Sequence, residues 1–153
     1  MRAVVQRVRS AWVRVDGREV AAIGMGLLAL VGFGQRDGPA ELDWMAARLA
    51  RLRVFEDETG RMARDLGAVG GALLVVPQFT LYGAMQKGFR PDFTAALDKA
   101  TARLRFQEFL ERVAAQGVPW AAGEFGAEME VGLVNWGPVT IWLEREGEDA
   151  DAH

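Results

Sequence analysis

The sequence contains no cysteine, and its single histidine is His153 at the C-terminal end. These shortages exclude a thiol nucleophile, a zinc site built from cysteine and histidine, and a Ser-His-Asp triad. A general base in this chain therefore has to be a carboxylate, a backbone group or part of the substrate. We accordingly expect neither a metal ion nor an organic cofactor.

Long hydrophobic runs are also lacking. The longest apolar stretch, from Leu27 to Phe33, is interrupted by Gly32 and is far too short to cross a bilayer. The first ten residues alternate in character and contain three arginines, which is not the pattern of a signal peptide. We expect a protein with no membrane partner, and the absence of cysteine fits the reducing cytoplasm.

An excess of acidic charge is confined to the end of the chain. The net charge is -3, but the last ten residues, Glu144 to His153, contain five acidic residues and one arginine, so that 17 basic and 16 acidic residues remain elsewhere. Charge therefore neither supports nor excludes a nucleic-acid partner. We predict one domain over residues 1–143 and a disordered acidic tail over residues 144–153.

Segments typical of strands dominate the first part of the chain. Residues 3–9 and 11–15 mix apolar and polar side chains, and Asp16-Gly17 is a hairpin signal before a return strand at 19–23. Residues 27–31 are apolar on both faces, which indicates a central strand.

Two helices and several short strands follow. Pro39 suits the first turn of a helix, and apolar residues then repeat at helical spacing at Leu42, Met45, Ala46, Leu49 and Leu52. A second helix is predicted from about residue 96 to residue 116, with Gly117 as its stop. Further strands are predicted near 53–55, before a turn at 57–60, and at 72–76, 128–134 and 139–143. The element order predicts a single α/β domain whose mixed, barrel-like β-sheet is covered by two helices.

The first segment that can carry chemistry is Pro77 to Leu81, directly after a buried strand. Pro77 has no amide hydrogen, so sheet pairing is expected to loosen there. Strand alternation would place Gln78 and Thr80 on one face and Phe79 on the other. An amide beside a hydroxyl can orient a carbonyl or a ribose hydroxyl, although a plain polar strand end is the commoner interpretation.

The second segment is Asn135 to Thr140. A proline between two strand-like halves requires a break or a bulge, and the glycine before it lets another backbone approach closely. On the residues alone, Gly137-Pro138 indicates a tight turn.

The third segment is the loop from Lys87 to Pro91, in which two cations flank Phe89. This combination suits the binding of a phosphate and a stacked base, and it is equally typical of a solvated loop.

In order and spacing, these segments resemble those of D-aminoacyl-tRNA deacylases. That family carries an N-terminal Q-R-V, here Gln6 to Val8, and a G-x-G-L-L segment, here Gly24 to Leu28. It also carries S-Q-x-T, G-x-R-P-x-F (here Gly88 to Phe93) and N-x-G-P-x-T motifs. The resemblance covers about residues 1–143 and is far more specific than any single motif.

Two positions depart from the family pattern. The serine that opens the S-Q-x-T motif is Pro77 here, so its hydroxyl must be dispensable or replaced. L-alanyl-tRNA editing deacylases also begin this motif with proline, but they usually have a small residue where this chain has Phe79. Trp136 stands where aspartate is common.

The resemblance implies a homodimer that acts on the 3′ end of an aminoacyl-tRNA. Gly137-Pro138, in the cis form, would reach into the pocket that Pro77 to Thr80 build in the other subunit, and Arg7 would help to hold the dipeptide. Backbone atoms aimed at the α-carbon would exclude an L side chain and admit a D-amino acid or glycine.

The resemblance also implies a catalytic segment formed by Gln78, Phe79 and Thr80. The backbone N–H groups of Phe79 and Thr80 would stabilise the oxyanion, and the terminal ribose hydroxyl of the tRNA would assist the attacking water. The alternative is Thr80 as a covalent nucleophile, for which the chain offers no obvious base. Substrate-binding or supporting roles are expected for Arg7, Pro77, Lys87, Phe89, Arg90, Asn135 and Thr140.

Two other functions stay open at this point. The chain can be an L-alanyl-tRNA editing deacylase, or a non-catalytic RNA-binding module in which Pro77 marks lost activity. Hydrolysis of a D-aminoacyl-tRNA by the purified protein distinguishes these functions from the first.

Overall fold

The computed structural model describes residues 1–148. The strands are β1 (Arg2–Val15), β2 (Arg18–Ile23), β3 (Gly26–Gly32), β4 (Phe55–Glu56), β5 (Met62–Arg64), β6 (Ala72–Pro77), β7 (Trp120–Ala122) and β8 (Glu130–Glu144). The α-helices are α1 (Pro39–Arg51), α2 (Leu66–Val69) and α3 (Lys99–Ala115), and a 3-10 helix covers Phe79–Tyr82. No helix among these described residues is long and apolar enough to span a membrane.

Six of the strands form one mixed sheet in the order β2-β1-β3-β6-β7, with β8 paired to β1. One edge of β1 pairs first with β3 and then with β2, while its other edge pairs with β8 along nearly its whole length. The pairs β3–β6 and β6–β7 are parallel, and the others in this sheet are antiparallel. The predicted mixed, barrel-like α/β architecture is confirmed.

The two long helices, α1 and α3, pack on one face of this sheet because each presents an apolar stripe to it. The stripe of α1 contains the fully buried Leu42, Met45 and Leu49, and that of α3 contains Phe109 and Val113. Residues of β3 and β6 contribute to this core and to a second cluster on the opposite side of the sheet. Both strands are therefore covered on two faces, as their continuous apolar runs predict.

Each long helix begins at a cap that is visible in the sequence. Pro39 is the first residue of α1, and the Gly38 N–H donates to Oε2 of Glu41 at 2.9 Å. α3 begins after Asp98, whose carboxylate accepts the Thr101 N–H at 2.9 Å. This start is three residues later than predicted. The single turn of α2 and the three-residue β7 were not predicted.

The extended alternation predicted for residues 78–81 is wrong. The Gln78 N–H still donates to the Val31 carbonyl at 2.7 Å, as a continuing strand would. Beyond it, the Leu81 N–H donates to the Gln78 carbonyl at 3.3 Å and the Gly83 N–H to the Thr80 carbonyl at 3.0 Å. These local bonds wind the chain into the 3-10 helix, so the side chains do not alternate between two faces.

The start of the predicted disordered tail also needs correction. Glu144 is the last residue of β8 and lies opposite Arg2, and the Arg145 N–H donates to the Met1 carbonyl at 3.0 Å. Glu146 forms an ion pair with Arg36 at 2.7 Å. Strand pairing therefore extends to residue 144, and the predicted tail beyond residue 148 lies outside the described residues.

Candidate active site

The catalytic segment predicted from the sequence is the turn that follows β6. Pro77 ends β6 opposite Val31, and the next residue, Gln78, precedes the 3-10 helix. The side-chain amide of Gln78 donates to the Thr80 hydroxyl, so the two polar groups meet across the turn instead of along a strand. Phe79 is 59% exposed and packs edge-on against Phe93, with ring centroids 5.2 Å apart.

A large cleft opens beside this turn. Its volume is about 870 Å³, in the range of cavities that hold drug-sized ligands. Its lining comes from the end of β6, the start of α3 and the segment before β8, and includes Pro77, Gln78, Phe79, Phe93, Leu97, Phe125 and Met129. Polar groups at its wall come from Gln35, Thr94, Asp98 and Lys99. A mostly apolar wall with a few polar groups is typical of a site that binds a small organic ligand.

Two backbone N–H donors lie where the 3-10 helix begins, beside the cleft. The first N–H groups of a helix have no acceptor within the helix, and here they belong to Phe79 and Thr80. Among the described residues, neither N–H donates to a protein oxygen, whereas the Leu81 N–H is already used within the turn. Phe79 lines the cleft and Thr80 follows it directly. Such a pair of donors can bind a carbonyl oxygen and the negative charge that develops on it.

The only carboxylate that lines the cleft among residues 1–148 is occupied as a helix cap. Asp98 accepts the backbone N–H of Thr101, and that hydrogen bond lowers the pKa of its carboxyl below the ordinary value. A carboxylate with a lowered pKa is a weak general base. In the same described range, no group of three or more histidine, cysteine, aspartate and glutamate side chains is arranged to hold a metal ion.

Below the turn, Tyr82 anchors the 3-10 helix to the body of the protein. Its ring is buried, and its hydroxyl donates to Oδ2 of Asp37 at 3.4 Å. Burial raises the pKa of the Tyr82 hydroxyl well above its ordinary value, and the nearby Asp37 charge raises it further. Arg2 donates to the Leu81 carbonyl at 3.0 Å and lies 4.3 Å from the Tyr82 ring centroid. The far end of the turn is thus held by a neutral phenol and a cation.

The second segment forms a bulge in β8. Gln6 of β1 lies opposite Thr140, and Val8 lies opposite Asn135, so four residues of β8, 136–139, stand opposite one residue of β1. The break that a proline inside a strand pattern predicts is therefore present. The Gly137-Pro138 peptide bond is cis, and both residues are exposed.

The neck of this bulge is closed by side chains of the N-x-G-P-x-T motif. The Thr140 hydroxyl donates to Oε1 of Gln6 at 2.6 Å, and Nε2 of Gln6 donates to Oδ1 of Asn135. Arg7 is 3% exposed; its Nε donates to the Trp136 carbonyl at 2.9 Å and its Nη1 to the Val54 carbonyl at 2.7 Å. The Arg7 side chain thereby holds the residue that precedes Gly137.

The third segment is an exposed loop. The backbones of Ala84 and Asp92 exchange two hydrogen bonds that close it, and Gly88 adopts a φ of 69° near its tip. Phe89 is 100% exposed, and its neighbours Lys87 and Arg90 are exposed as well. None of these three side chains lines the cleft of its own chain.

A single chain therefore brings together only part of the predicted site. Pro77, Gln78 and Phe79 lie on the cleft with Thr80 next to them, whereas the β8 bulge and the exposed loop do not line it. The sequence missed the far wall of the cleft, above all Phe125 and Met129. No local pattern marks these residues, because long-range packing brings them opposite β6.

The fold and the site define an α/β protein with an apolar cleft, two available backbone donors and a separate, exposed Gly-Pro bulge. The family described as D-Tyr-tRNA(Tyr) deacylase matches residues 4–144, and the chain belongs to this family. The predicted family and the predicted enzyme class, an ester hydrolase, are confirmed.

Relatives match over nearly the whole chain. A D-aminoacyl-tRNA deacylase of Thermomicrobium roseum is 51% identical over 144 residues, which cover 94% of each protein. A D-aminoacyl-tRNA deacylase of Heliobacterium modesticaldum is 47% identical over 150 residues, covering 98% of this chain and all of that protein.

Solved structures agree with this fold. A c-Myc DNA unwinding element binding protein superposes with a TM-score of 0.89 at 39% identity, covering 96% of this chain and 100% of that one. A probable eukaryotic D-amino acid tRNA deacylase superposes with a TM-score of 0.79 at 19% identity, over 93% of this chain and 97% of that one. At that identity, the second likeness supports the fold alone.

Proposed function

We propose that the protein hydrolyses the ester bond of D-aminoacyl-tRNA. Water adds to the ester carbonyl, the bond to the ribose oxygen breaks, and free tRNA and the D-amino acid leave. The observation that carries this proposal is the 870 Å³ cleft beside the unpaired N–H groups of Phe79 and Thr80, in a chain of the deacylase family.

The two N–H groups stabilise the oxyanion in this mechanism. They lie at the start of a short helix whose other end is anchored through Tyr82 and Arg2, so their directions are set before the substrate binds. Donors that are already oriented stabilise developing charge without the cost of reorganisation. The Gln78 amide, which contacts the Thr80 hydroxyl, supports the same edge of the cleft.

The base comes from the substrate. Asp98 serves as a helix cap with a lowered pKa, and the part of the cleft wall that residues 1–148 form contains no histidine. An aminoacyl ester is already activated, so a positioned water assisted by the terminal ribose hydroxyl is sufficient. The Thr80 hydroxyl accepts a hydrogen bond from an amide, which does not remove its proton, and this favours a positioning role over a nucleophilic one.

Selection of the D-form arises in a homodimer. Gly137 and Pro138 are exposed and do not line the cleft of their own chain. Within residues 1–148, β8 pairs only with β1 and exposes apolar side chains at Leu133, Val134 and Trp142, which suits an interface between two copies. In that dimer, the bulge of one subunit faces the cleft of the other. Its backbone leaves space for a hydrogen on the α-carbon but not for an L side chain.

The exposed loop contacts the 3′ end of the tRNA. Lys87 and Arg90 can bind phosphates, and the fully exposed Phe89 ring offers a surface on which an unpaired base stacks. Base stacking on an aromatic side chain contributes about 1–3 kcal/mol.

The test is parallel deacylation of D-tyrosyl-, L-tyrosyl- and L-alanyl-tRNA by the purified protein, with sedimentation to measure its oligomeric state. We expect a dimer that cleaves the D-tyrosyl ester and leaves both L-esters intact. Faster cleavage of the L-alanyl ester would identify an L-alanyl editing enzyme instead. RNA binding without any hydrolysis would identify a non-catalytic module.

A further inference from the structure

Trp136, the residue directly before Gly137, is held from several directions. Its carbonyl accepts the Nε–H of Arg7 at 2.9 Å. The guanidinium carbons of Arg7 and Arg9 lie 4.6 Å and 3.8 Å from the centroid of its ring, and the ring of Phe55 lies 6.0 Å away. Cation–π contacts are strongest with tryptophan, so both the backbone and the side chain of this residue are fixed.

An irregularity in β1 accompanies the position of Arg9. Val8 pairs with Asn135 and Ser10 pairs with Val134, so β1 advances by two residues while β8 advances by one. Arg9 is the extra residue, so its backbone is not paired with a residue of β8. A bulge of this kind redirects a side chain, and here the exposed Arg9 guanidinium lies over the Trp136 ring.

These contacts hold the side of the bulge that precedes its tip, while Val139, buried in the core, holds the side that follows it. Gln6 closes the neck through Asn135 and Thr140, but Gly137 and Pro138 at the tip are exposed. The position of Gly137 therefore depends on Trp136 directly before it and, through Pro138, on the buried Val139 after it. A filter that works by steric contact needs its atoms placed to within about an ångström, because a misplacement of that size changes rates on the order of a hundredfold.

We propose that Trp136, together with Arg9, is a specificity-determining positioning residue for the rejection of L-aminoacyl esters. The ring and the two guanidinium groups hold Gly137-Pro138 in the place where its backbone meets the α-carbon of the ester bound to the other subunit. This inference rests on the proposed function. It adds two side chains that do not touch the substrate and act through the backbone of the bulge.

The test compares hydrolysis rates of D-tyrosyl- and L-tyrosyl-tRNA in three variants. Trp136→Ala removes the ring, Trp136→Phe keeps an aromatic face, and Arg9→Met keeps the length of the side chain without its charge. We expect Trp136→Ala to lower the ratio of the D rate to the L rate by about tenfold, mainly through a faster L reaction. Trp136→Phe should retain most of the ratio, and Arg9→Met should lower it by about threefold.

A second arginine–tryptophan pair supplies the matched control. Trp44 of α1 lies 5.1 Å from the guanidinium carbon of Arg48 and is remote in sequence from the bulge. Trp44→Ala should leave the ratio unchanged, whatever it does to stability. Loss of folded protein lowers both rates by the same factor, so the ratio distinguishes positioning from a general structural effect. Arg9 is exposed, which makes its variant the one least prone to unfolding.

An unchanged ratio in both Trp136→Ala and Arg9→Met, with a D-selective wild-type enzyme, would overturn this inference and leave the proposed function standing. An equal fall of the ratio in Trp44→Ala would overturn it as well. A wild-type protein that cleaves no D-aminoacyl ester would refute the proposed function itself, and the inference with it.

Discussion

Replacement of Arg7 by alanine tests how firmly the bulge is tied to the core. Arg7 is 3% exposed and donates to the carbonyls of Val54 and Trp136 at 2.7 Å and 2.9 Å. Alanine would leave both acceptors without their donor. An unsatisfied buried acceptor costs about 1–3 kcal/mol, so the two together predict a loss of about 2–6 kcal/mol in the free energy of unfolding.

Arg7→Lys separates charge from geometry in the same measurement. Lysine keeps the positive charge, but its single ammonium group cannot reproduce the two-directional contact of a guanidinium. We expect it to recover less than half of the loss. Arg9→Ala is the matched control, because Arg9 is exposed two residues further along β1, and we expect it to cost less than about 1 kcal/mol.

Urea unfolding, followed by tryptophan fluorescence at one fixed protein concentration, measures these differences. The concentration must be fixed because association of two copies, as in the proposed dimer, would add to the apparent stability of the fold. A loss below about 1 kcal/mol in Arg7→Ala would show that water replaces the arginine, and the reasoning from buried acceptors would be refuted.

Three further predictions concern the reaction. Thr80→Ala should retain measurable deacylation of D-tyrosyl-tRNA, because the backbone donors remain; complete loss in a folded variant would instead favour the nucleophilic mechanism. Gly137→Val should lower that activity by more than about tenfold, because the added side chain fills space that the α-carbon needs, and a circular dichroism spectrum would check the fold. Glycyl-tRNA should be cleaved while L-alanyl-tRNA is not, because glycine has no side chain to exclude; an intact glycyl ester at enzyme levels that consume D-tyrosyl-tRNA would argue against steric rejection.

The parts of the fold that could be predicted are those in which local pattern and tertiary packing agree. The apolar runs at Leu27 to Val31 and Ala72 to Val76 lie in the two central strands, β3 and β6, as expected. Pro39 correctly marks the start of α1. The bulge at Gly137-Pro138 follows from the chemistry of a proline in a strand pattern, because its ring nitrogen cannot join the ladder.

The parts that could not be predicted depend on partners distant in sequence. Residues 78–81 have a strand-like pattern, yet hydrogen bonds within the turn wind them into a 3-10 helix once β6 has paired with β3. β7 is only three residues long and exists because β6 offers it a parallel edge. The cleft wall at Phe125 and Met129 could not be predicted either, because neither residue belongs to a motif and only the folded chain brings them to the cleft.

Pro77 shows how this site can change in one part without losing another. It lies at the cleft edge and stands where the family pattern has a serine, whose hydroxyl can donate only one hydrogen bond to the substrate, worth about 1 kcal/mol when water takes its place. In the proposed dimer, rejection of the L-form depends instead on the backbone of Gly137-Pro138, which Arg7 and Trp136 hold from a different strand. Because the two proposed roles use separate atoms, we expect a substitution at Pro77 to change the rate while the proposed steric wall, and with it the selection of the D-form, stays in place.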